Sequence, residues 1–284
     1  MAVRSGSSIA AECKAASINS PKGSEWPSTK SRRRKAREQQ TSVRNRDRTP
    51  LTPLNIVLFD IDGTLILTGG AGGRAMSRAF EEVFGIARAF DGVPMAGRTD
   101  RRILDNAAAR AGLVLDEEAR RRFRDRYFDC LLEALQEPAH PKRVLPGVLP
   151  LLEALTSPPL AEDIVLALLT GNCEQGARLK LEYFDLWRFF RCGAFGDDTH
   201  DRNDLFSVAM QRAKDCGFPG VAPERVIVVG DTELDVACAA AAGARSVAVA
   251  TGPSSAGVLR ESGAEVVLED LSNTNGFLAL LDRG

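Results

Sequence analysis

Residues 58–70 read LFDIDGTLILTGG, and in this stretch an apolar run ends abruptly at two carboxylates, Asp60 and Asp62. The run that leads into them, 54–59, is short and mostly apolar, which is typical of a strand buried on both faces of a parallel sheet. Aspartate and glycine are also ordinary turn formers, so the motif by itself fits a simple turn as well as a site. The choice depends on what the rest of the chain places beside it.

A second strand-like run ends in carboxylates in the same way. VIVV at 226–229 leads into Asp231 and Asp235, which lie one helical turn apart on the same side. We therefore expect Asp231 to converge with Asp60 and Asp62. Gathering three carboxylates without a counter-charge is costly, and a hard divalent cation held by oxygens is the usual resolution. Since the ligands are few and water and phosphate must share the ion, the pattern favours Mg²⁺ over Ca²⁺.

A third run, 164–169, ends in polar residues that suit a phosphate group. Thr170, Gly171 and Asn172 offer a hydroxyl and backbone N–H groups at the start of a predicted helix. Such a helix start favours anions because its amides are free and its dipole is positive there. A helix N-cap role for Thr170 or Asn172 is the alternative, and the two roles are compatible.

Alternating strand and helix signals predict the fold class. The helical stretches fit crossovers between parallel strands, so we predict a Rossmann-like three-layer sandwich, an α/β fold with a parallel sheet. The predicted strands are 54–59, 164–169, 192–195, 226–229, 246–250 and 266–268. The predicted helices are 147–155, 174–183, 205–216, 232–242, 254–261 and 273–281.

One interval, 71–142, carries helical pattern only. Its last helix has an apolar face marked by residues that recur every four positions, Phe123, Tyr127, Leu131 and Leu135. We predict an inserted all-helical cap domain at 71–142, with the catalytic core formed by 54–70 and 143–284. Because the insertion directly follows the first strand, it should stand over that strand's carboxyl end, where open α/β sheets bind ligands.

The segment 1–53 is a basic tail that we predict to be disordered. Residues 1–50 carry 12 Lys and Arg against 4 Asp and Glu, which leaves 25 against 34, or −9, for residues 51–284. Three readings stay open: a footprint for nucleic acid or anionic surfaces, a transit peptide, or a solvated tail without a role. The acidic remainder of the chain and the single aromatic of the tail, Trp26, argue against a nucleic-acid partner.

Composition excludes several classes of protein. The six cysteines are scattered singly, without C-x-x-C or paired histidines, so we expect neither a zinc site nor a disulfide framework. This pattern predicts a reducing compartment, namely the cytoplasm. No apolar run approaches the roughly 18 residues of a membrane span, and the N-terminus lacks the apolar region of a secretory signal. We expect no membrane partner, and the sequence predicts no particular oligomeric state.

Together these motifs resemble those of the haloacid dehalogenase superfamily of phosphohydrolases, and the phosphoglycolate-phosphatase-like members look most similar. The motifs occur in order as Asp60-x-Asp62-Gly-Thr-Leu, Leu-Leu-Thr170-Gly-Asn, a basic residue near Arg202, and Gly-Asp231-x-x-x-Asp235. The resemblance implies that Asp60 attacks phosphorus and that Asp62 is the acid/base. We expect Mg²⁺ to be bound by Asp60, Asp231 and the main-chain carbonyl of Asp62, with Asp235 acting through water or orienting its neighbours.

The third motif departs from the family pattern, which most often has a lysine there. Arg202 stands at this position, and its permanently charged fork can bridge phosphate and nucleophile. An ion pair with Asp201 or Asp204 in the same loop is the alternative reading of Arg202. Lys180, in the helix after Thr170, is the rival for the role.

A loop of the predicted cap offers a candidate for substrate recognition. Arg98 follows Gly97 in a stretch that we expect to face the site, and an arginine there suits an anionic group such as a substrate carboxylate. A helix-capping loop with Thr99 or Asp100 as the N-cap explains the same residues equally well.

The sequence thus predicts a Mg²⁺-dependent phosphatase of small phosphorylated metabolites, such as phosphoglycolate-like compounds or sugar phosphates, working through an aspartyl-phosphate. A phosphomutase of the same superfamily would use the same residues and is the alternative. A nucleic-acid-associated or scaffold protein acting through the basic tail is a third reading. The complete set of Asp60, Asp62, Thr170 and Asp231 argues against a catalytically dead scaffold.

Overall fold

The computed structural model describes residues 55–138, 140–218 and 220–281. The predicted tail, 1–53, lies outside the described residues, and so does Leu54, the first residue of the first predicted strand. None of the helices in the described ranges combines the length and the hydrophobicity that crossing a lipid bilayer requires.

The strands of the described residues form two sheets. They are β1 (Asn55–Phe59), β2 (Ile66–Leu67), β3 (Arg143–Val144), β4 (Ile164–Leu169), β5 (Cys192–Ala194), β6 (Val226–Gly230), β7 (Arg245–Val249) and β8 (Val266–Leu268). Six of them make a parallel sheet in the order β5-β4-β1-β6-β7-β8. In it Ile56 lies opposite Val165 of β4 and opposite Val226 of β6. The ends of β4, β1 and β6 therefore meet at the middle of the sheet.

Helices cover both faces of the six-stranded sheet. The helices of the described residues are α1 (Ala71–Phe84), α2 (Asp100–Arg110), α3 (Glu117–Gln136), α4 (Val148–Leu155), α5 (Glu174–Tyr183), α6 (Leu205–Asp215), α7 (Glu233–Ala241), α8 (Ala256–Glu261) and α9 (Thr274–Leu281). Val57 and Phe59 pack with α4, α5 and α9, whereas Ile56 and Leu58 pack with α6 and α7. Alternate residues of β1 thus pack against opposite faces of the sheet. This arrangement confirms the predicted Rossmann-like parallel sandwich, and each predicted strand and helix corresponds to an observed one.

The helices α1, α2 and α3 form the insertion and have a hydrophobic core of their own. Phe80 of α1 and Phe123 of α3 meet edge to face, with ring centroids 6.1 Å apart. The chain leaves the core through β2 and returns through β3, and these strands pair antiparallel with Leu67 opposite Arg143. The sequence did not predict this short ribbon, because a strand of two residues shows no periodicity. The treatment of 71–142 as a separate cap domain stays a prediction.

Candidate active site

Three neighbouring strands carry polar residues to the same edge of the sheet. Asp60, Thr170 and Asp231 directly follow β1, β4 and β6. The amide of Asp60 donates to the carbonyl of Val229 at 2.9 Å, and the amide of Thr170 donates to the carbonyl of Ala194 at 3.1 Å. These bonds extend the sheet ladder one residue past β1 and β4, so the side chains of Asp60 and Thr170 start from a rigid base.

Three buried carboxylates converge there. Asp60, Asp231 and Asp235 each place one oxygen within 4.8 Å of the others. Asp235 lies in the first turn of α7, where the amide and hydroxyl of Thr232 donate to its Oδ2 at 3.1 and 2.7 Å. We predicted that the carboxylate of Asp62 converges with those of Asp60 and Asp231, whereas in the structure the third carboxylate is that of Asp235 and the carboxylate of Asp62 contacts Lys180 of α5. The predicted role of the main-chain carbonyl of Asp62 as a metal ligand stays a prediction.

The carboxylates of this cluster repel one another, and the adjacent Arg202 partly offsets that repulsion. Burial raises the pKa of Asp60 to about 6; Arg202 acts against this rise, and Asp235 adds to it. Burial, together with repulsion from Asp60 and then Asp235, holds the pKa of Asp231 well above its usual value. A bound divalent cation would relieve this repulsion and suits an all-oxygen set, so the residues present fit Mg²⁺.

Two glycines enclose the carboxylate of Asp231. A Cβ atom on Gly63 would lie 2.3 Å from Oδ2 of Asp231, and one on Gly252 would lie 1.7 Å from it. Gly63 also has φ +84°, which side chains rarely adopt. The hydroxyl of Thr64 donates to Oδ1 of Asp231 at 2.9 Å. Gly252 was not predicted as a site residue, because a glycine after a strand is an ordinary turn residue until its distant neighbour is known.

Arg202 is buried beside the carboxylates. Its Nη1 donates to the carbonyl of Gly97 at 3.0 Å, and its Nη2 donates to Oδ1 of Asp235 and lies 3.4 Å from Oδ1 of Asp60. Burial acts to lower the pKa of Arg202, but Asp235 and Asp60 outweigh it and keep the pKa above its ordinary value. The alternative in which Arg202 pairs with an aspartate of its own loop is therefore wrong.

Lys180 occupies the other side of the cleft. Its Nζ donates to Oδ2 of Asp62 at 2.6 Å and to Oδ1 of Asn172 at 2.6 Å, and Nδ2 of Asn172 donates to Oδ2 of Asp62 at 2.9 Å. The side chain of Lys180 is 5% exposed, whereas that of Asp62 is 41% exposed. Burial acts to lower the pKa of Lys180, but Asp62 and then Asp100 outweigh it and raise the pKa. Lys180 and Arg202, the two candidates for the cation of the third motif, thus contact different aspartates: Lys180 contacts Asp62, and Arg202 lies beside Asp60.

The loop after β4 is held by its own side chains. The buried hydroxyl of Thr170 accepts from the amide and from Nδ2 of Asn172, at 3.3 and 2.9 Å. The N-cap of α5 is Cys173, so the alternative of Thr170 or Asn172 as N-cap is wrong. Gly171 lies close to the insertion, because a Cβ on it would be 2.1 Å from the carbonyl of Arg98.

The loop of Arg98 leads into α2. Thr99 is the N-cap of this helix and accepts from the amide of Arg102 at 3.2 Å, which confirms the capping alternative for Thr99. Asp100 is not the cap, since its carboxylate accepts from the amide of Cys173 at 2.9 Å. Burial raises the pKa of Asp100 to about 6, against the effect of nearby Lys180.

These residues surround a cleft of about 490 Å³ between the sheet edge and the insertion. Arg98 lines the cleft, as do Asp60, Asp62 and Lys180. Tyr127 of α3 also lines it, although its sequence period indicates only a core position. The one available signal was its hydroxyl, since Tyr127 is the only polar member of an otherwise apolar repeat.

The chain matches a family model described as haloacid dehalogenase-like hydrolase over residues 57–249. The phosphoglycolate phosphatase of Chromobacterium violaceum is 29% identical over 232 residues, which are 78% of this chain and 95% of that protein. The matched family region, 57–249, contains every carboxylate and cation described above.

Solved structures share the fold. A predicted phosphoglycolate phosphatase from Haemophilus somnus has a TM-score of 0.58 and 20% identity, over 80% of this chain and 99% of that one. A protein from Thermotoga maritima, provisionally named a beta-phosphoglucomutase, has a TM-score of 0.52 and 24% identity, over 80% and 99%. At these identities the likeness concerns the fold alone.

Proposed function

The chain belongs to the haloacid dehalogenase-like hydrolases, and from this premise we propose that it is a Mg²⁺-dependent phosphatase. In this proposal it is a phosphoric monoester hydrolase that acts on small phosphate esters through an aspartyl-phosphate. The observation that carries the proposal is the buried group of Asp60, Asp231 and Asp235 beside Arg202. A buried acidic cluster can hold a divalent cation. That cation and the adjacent Arg202 would together supply the positive charge that a dianionic phosphate ester requires.

Two of the three clustered carboxylates would hold the metal ion. Asp60 and Asp231 would provide oxygen ligands together with the main-chain carbonyl of Asp62, and Asp235 would act from beside them, while Gly63 and Gly252 leave the space that the carboxylate of Asp231 occupies. When bound, Mg²⁺ supplies positive charge that neutralises phosphate oxygens. The side chain of Asp235 is also tied to Arg202 and Thr232, so it fixes the guanidinium as well.

The first step forms a bond between Asp60 and phosphorus. A carboxylate oxygen of Asp60 attacks while the bond from phosphorus to the ester oxygen breaks. An anionic nucleophile is repelled by the dianionic ester, and Arg202, whose Nη2 lies 3.4 Å from Oδ1 of Asp60, would offset this repulsion. Thr170 and the amides of Gly171 and Asn172 would hold the remaining phosphate oxygens.

The second carboxylate handles protons in both steps. Asp62 gives a proton to the leaving ester oxygen, since an alkoxide is a poor leaving group. It then takes a proton from the water that attacks phosphorus, the bond from phosphorus to Asp60 breaks, and inorganic phosphate leaves. The contacts of Asp62 with Lys180 and Asn172 support this role because they fix the orientation of a half-exposed side chain.

Small phosphorylated metabolites are the proposed substrates. A cleft of about 490 Å³ suits a small ester, and Arg98 on its rim suits an anionic group. The relative from Chromobacterium violaceum is a phosphoglycolate phosphatase, and we extend phosphoglycolate-like esters and sugar phosphates to this chain as candidates. The cytoplasm remains the predicted compartment, on the strength of the cysteine pattern alone.

A panel of esters tests the proposal. Phosphate release is measured from phosphoglycolate, a hexose phosphate and p-nitrophenyl phosphate, first with Mg²⁺, then with EDTA, then with Mg²⁺ restored. We expect phosphate release that EDTA abolishes and that added Mg²⁺ restores. Asp231→Asn should lose this activity, whereas Asp215→Asn, an exposed control on α6, should retain it. Phosphate release that EDTA does not reduce would contradict the metal dependence. Isomerisation of a hexose phosphate without net release establishes the phosphomutase instead.

A further inference from the structure

We propose that the hydroxyl of Tyr127 and the first-turn amides of α1 form a second anion subsite, which takes a carboxylate on the leaving alcohol of the substrate. This inference deepens the proposed phosphatase function and rests on it. The substrate class is then a phosphate monoester of a short hydroxy acid.

The hydroxyl of Tyr127 is buried without a partner. The residue is 2% exposed, and its ring stacks on Phe123 with centroids 6.1 Å apart. Among the described residues, its oxygen has no hydrogen-bond partner. Burial raises the pKa of Tyr127 well above its usual value, so the group stays neutral and remains a donor. A buried donor left unpaired is costly, and phenylalanine would fill the same space without that cost.

Two glycines give the position of this hydroxyl. A Cβ atom on Gly72 would lie 3.9 Å from the oxygen of Tyr127, and one on Gly176 would lie 3.7 Å from it. Gly72 belongs to the first turn of α1, and Gly176 belongs to the first turn of α5. The hydroxyl therefore lies at the N-terminal ends of two helices, and Tyr127 and Gly72 both line the cleft.

The N-terminus of α1 is uncapped toward the cleft. Its N-cap, Gly70, has no side chain to accept a bond, and the first turn contains no acidic residue. No hydrogen bond within the described part of the chain uses the amides of Gly72 or Gly73. Free amides at the positive end of a helix attract anions. The absence of side chains at both glycines leaves the backbone open to close approach.

Lys180 adds a formal positive charge on the same side. A Cβ on Gly72 would lie 3.2 Å from its Nζ. The ammonium has three donors, of which Asp62 and Asn172 use two. This part of the cavity wall therefore presents a hydroxyl, two amides and part of an ammonium as donors, while the carboxylates of Asp62 and Asp100 also line the cleft near Lys180. The set of donors fits a carboxylate.

The position relative to Asp62 limits the length of the leaving group. Lys180 contacts Asp62, the proposed proton donor to the leaving oxygen, and also faces Gly72. An anion bound at the N-terminus of α1 would thus lie near the leaving ester oxygen, which accepts the proton from Asp62. We infer a carboxylate separated from the ester oxygen by a short carbon chain.

A matched pair of esters tests the subsite. Phosphoglycolate and ethyl phosphate differ in the carboxylate and share the two-carbon chain, and the readout is the ratio of their kcat/KM values. Tyr127→Phe should reduce this ratio about tenfold or more, mainly through the KM of phosphoglycolate, because a bond to a charged group is lost. Tyr183→Phe, which alters a tyrosine that is 43% exposed, should leave the ratio unchanged. Because the hydroxyl of Tyr127 has no partner to lose, Tyr127→Phe should melt at or above the wild-type temperature.

A ratio unchanged by Tyr127→Phe overturns the subsite. Binding separates this failure from failure of the proposed function. Calorimetric titration of phosphoglycolate into Asp60→Asn, with and without Tyr127→Phe, needs no turnover. Tyr127-dependent binding upholds the subsite even if no ester is hydrolysed, and binding that ignores Tyr127 overturns it even if phosphatase activity is found.

Discussion

Nζ of Lys180 lies 2.6 Å from Oδ2 of Asp62, so a buried cation on α5 holds a half-exposed acid that follows β1. The pair is separated by 118 residues. Arg202 makes the corresponding contact with Asp60, at 3.4 Å. Each aspartate of the first motif therefore has its own cation, and loss of the two cations should produce different kinetic effects.

Loss of Lys180 should depend on the leaving group. Lys180→Met keeps an unbranched side chain, one heavy atom shorter, but removes the charge that orients Asp62, so kcat for ethyl phosphate should fall on the order of 10². The loss should be much smaller for p-nitrophenyl phosphate, whose leaving group needs no proton. Arg178→Met is the control, because Arg178 pairs with Glu182 on the same helix. Equal losses for both esters would show that Lys180 does not act through Asp62.

Loss of Arg202 should be independent of the leaving group. Arg202→Ala removes a charge beside the nucleophile, and kcat should fall on the order of 10² to 10³ for both esters. Arg202→Lys should retain part of the activity, because it keeps the charge but loses the fork. This expectation is checked by steady-state kinetics of both variants. Near-normal kcat in Arg202→Ala would remove Arg202 from the proposed mechanism.

Gly252→Ala should disturb the metal cluster. The new Cβ would lie 1.7 Å from Oδ2 of Asp231, so the carboxylate must move. We expect loss of most activity and of the rise in melting temperature that Mg²⁺ produces in the wild type. Gly257→Ala is the control, because its Cβ would approach only Oγ of Ser255, at 3.8 Å. A Mg²⁺ response in Gly252→Ala equal to that of the wild type would contradict this placement of the metal.

The fold could be predicted because its signals are local. Short apolar runs such as 226–229 become strands buried on both faces, and the carboxylates that follow them reach one edge of a parallel sheet. What the sequence could not supply were contacts between distant segments. The approach of Gly252 to Asp231 and the contact of Lys180 with Asp62 depend on how loops and helices pack around the sheet. Tyr127 was not predicted as a site residue, because the other three members of its four-residue repeat, Phe123, Leu131 and Leu135, are apolar core residues.

Deletion of residues 1–50 tests the predicted domain boundary. Since the sequence predicts no packed element in this tail, kcat, KM and melting temperature should all stay near their wild-type values. Calorimetry and steady-state assays of the shortened chain provide the measurement. A clear drop in stability or activity would make the tail part of the folded enzyme.

The proposed mechanism requires that Asp60 becomes phosphorylated, and a burst experiment with Asp62→Asn detects this step. p-Nitrophenyl phosphate needs no acid to release its phenolate, but breakdown of the intermediate still needs Asp62 as a base. We predict a burst of p-nitrophenolate stoichiometric with enzyme, slow turnover afterwards, and a phosphoryl group on Asp60 in acid-quenched digests. A linear release without a burst, and without phosphorylated Asp60, would contradict the account.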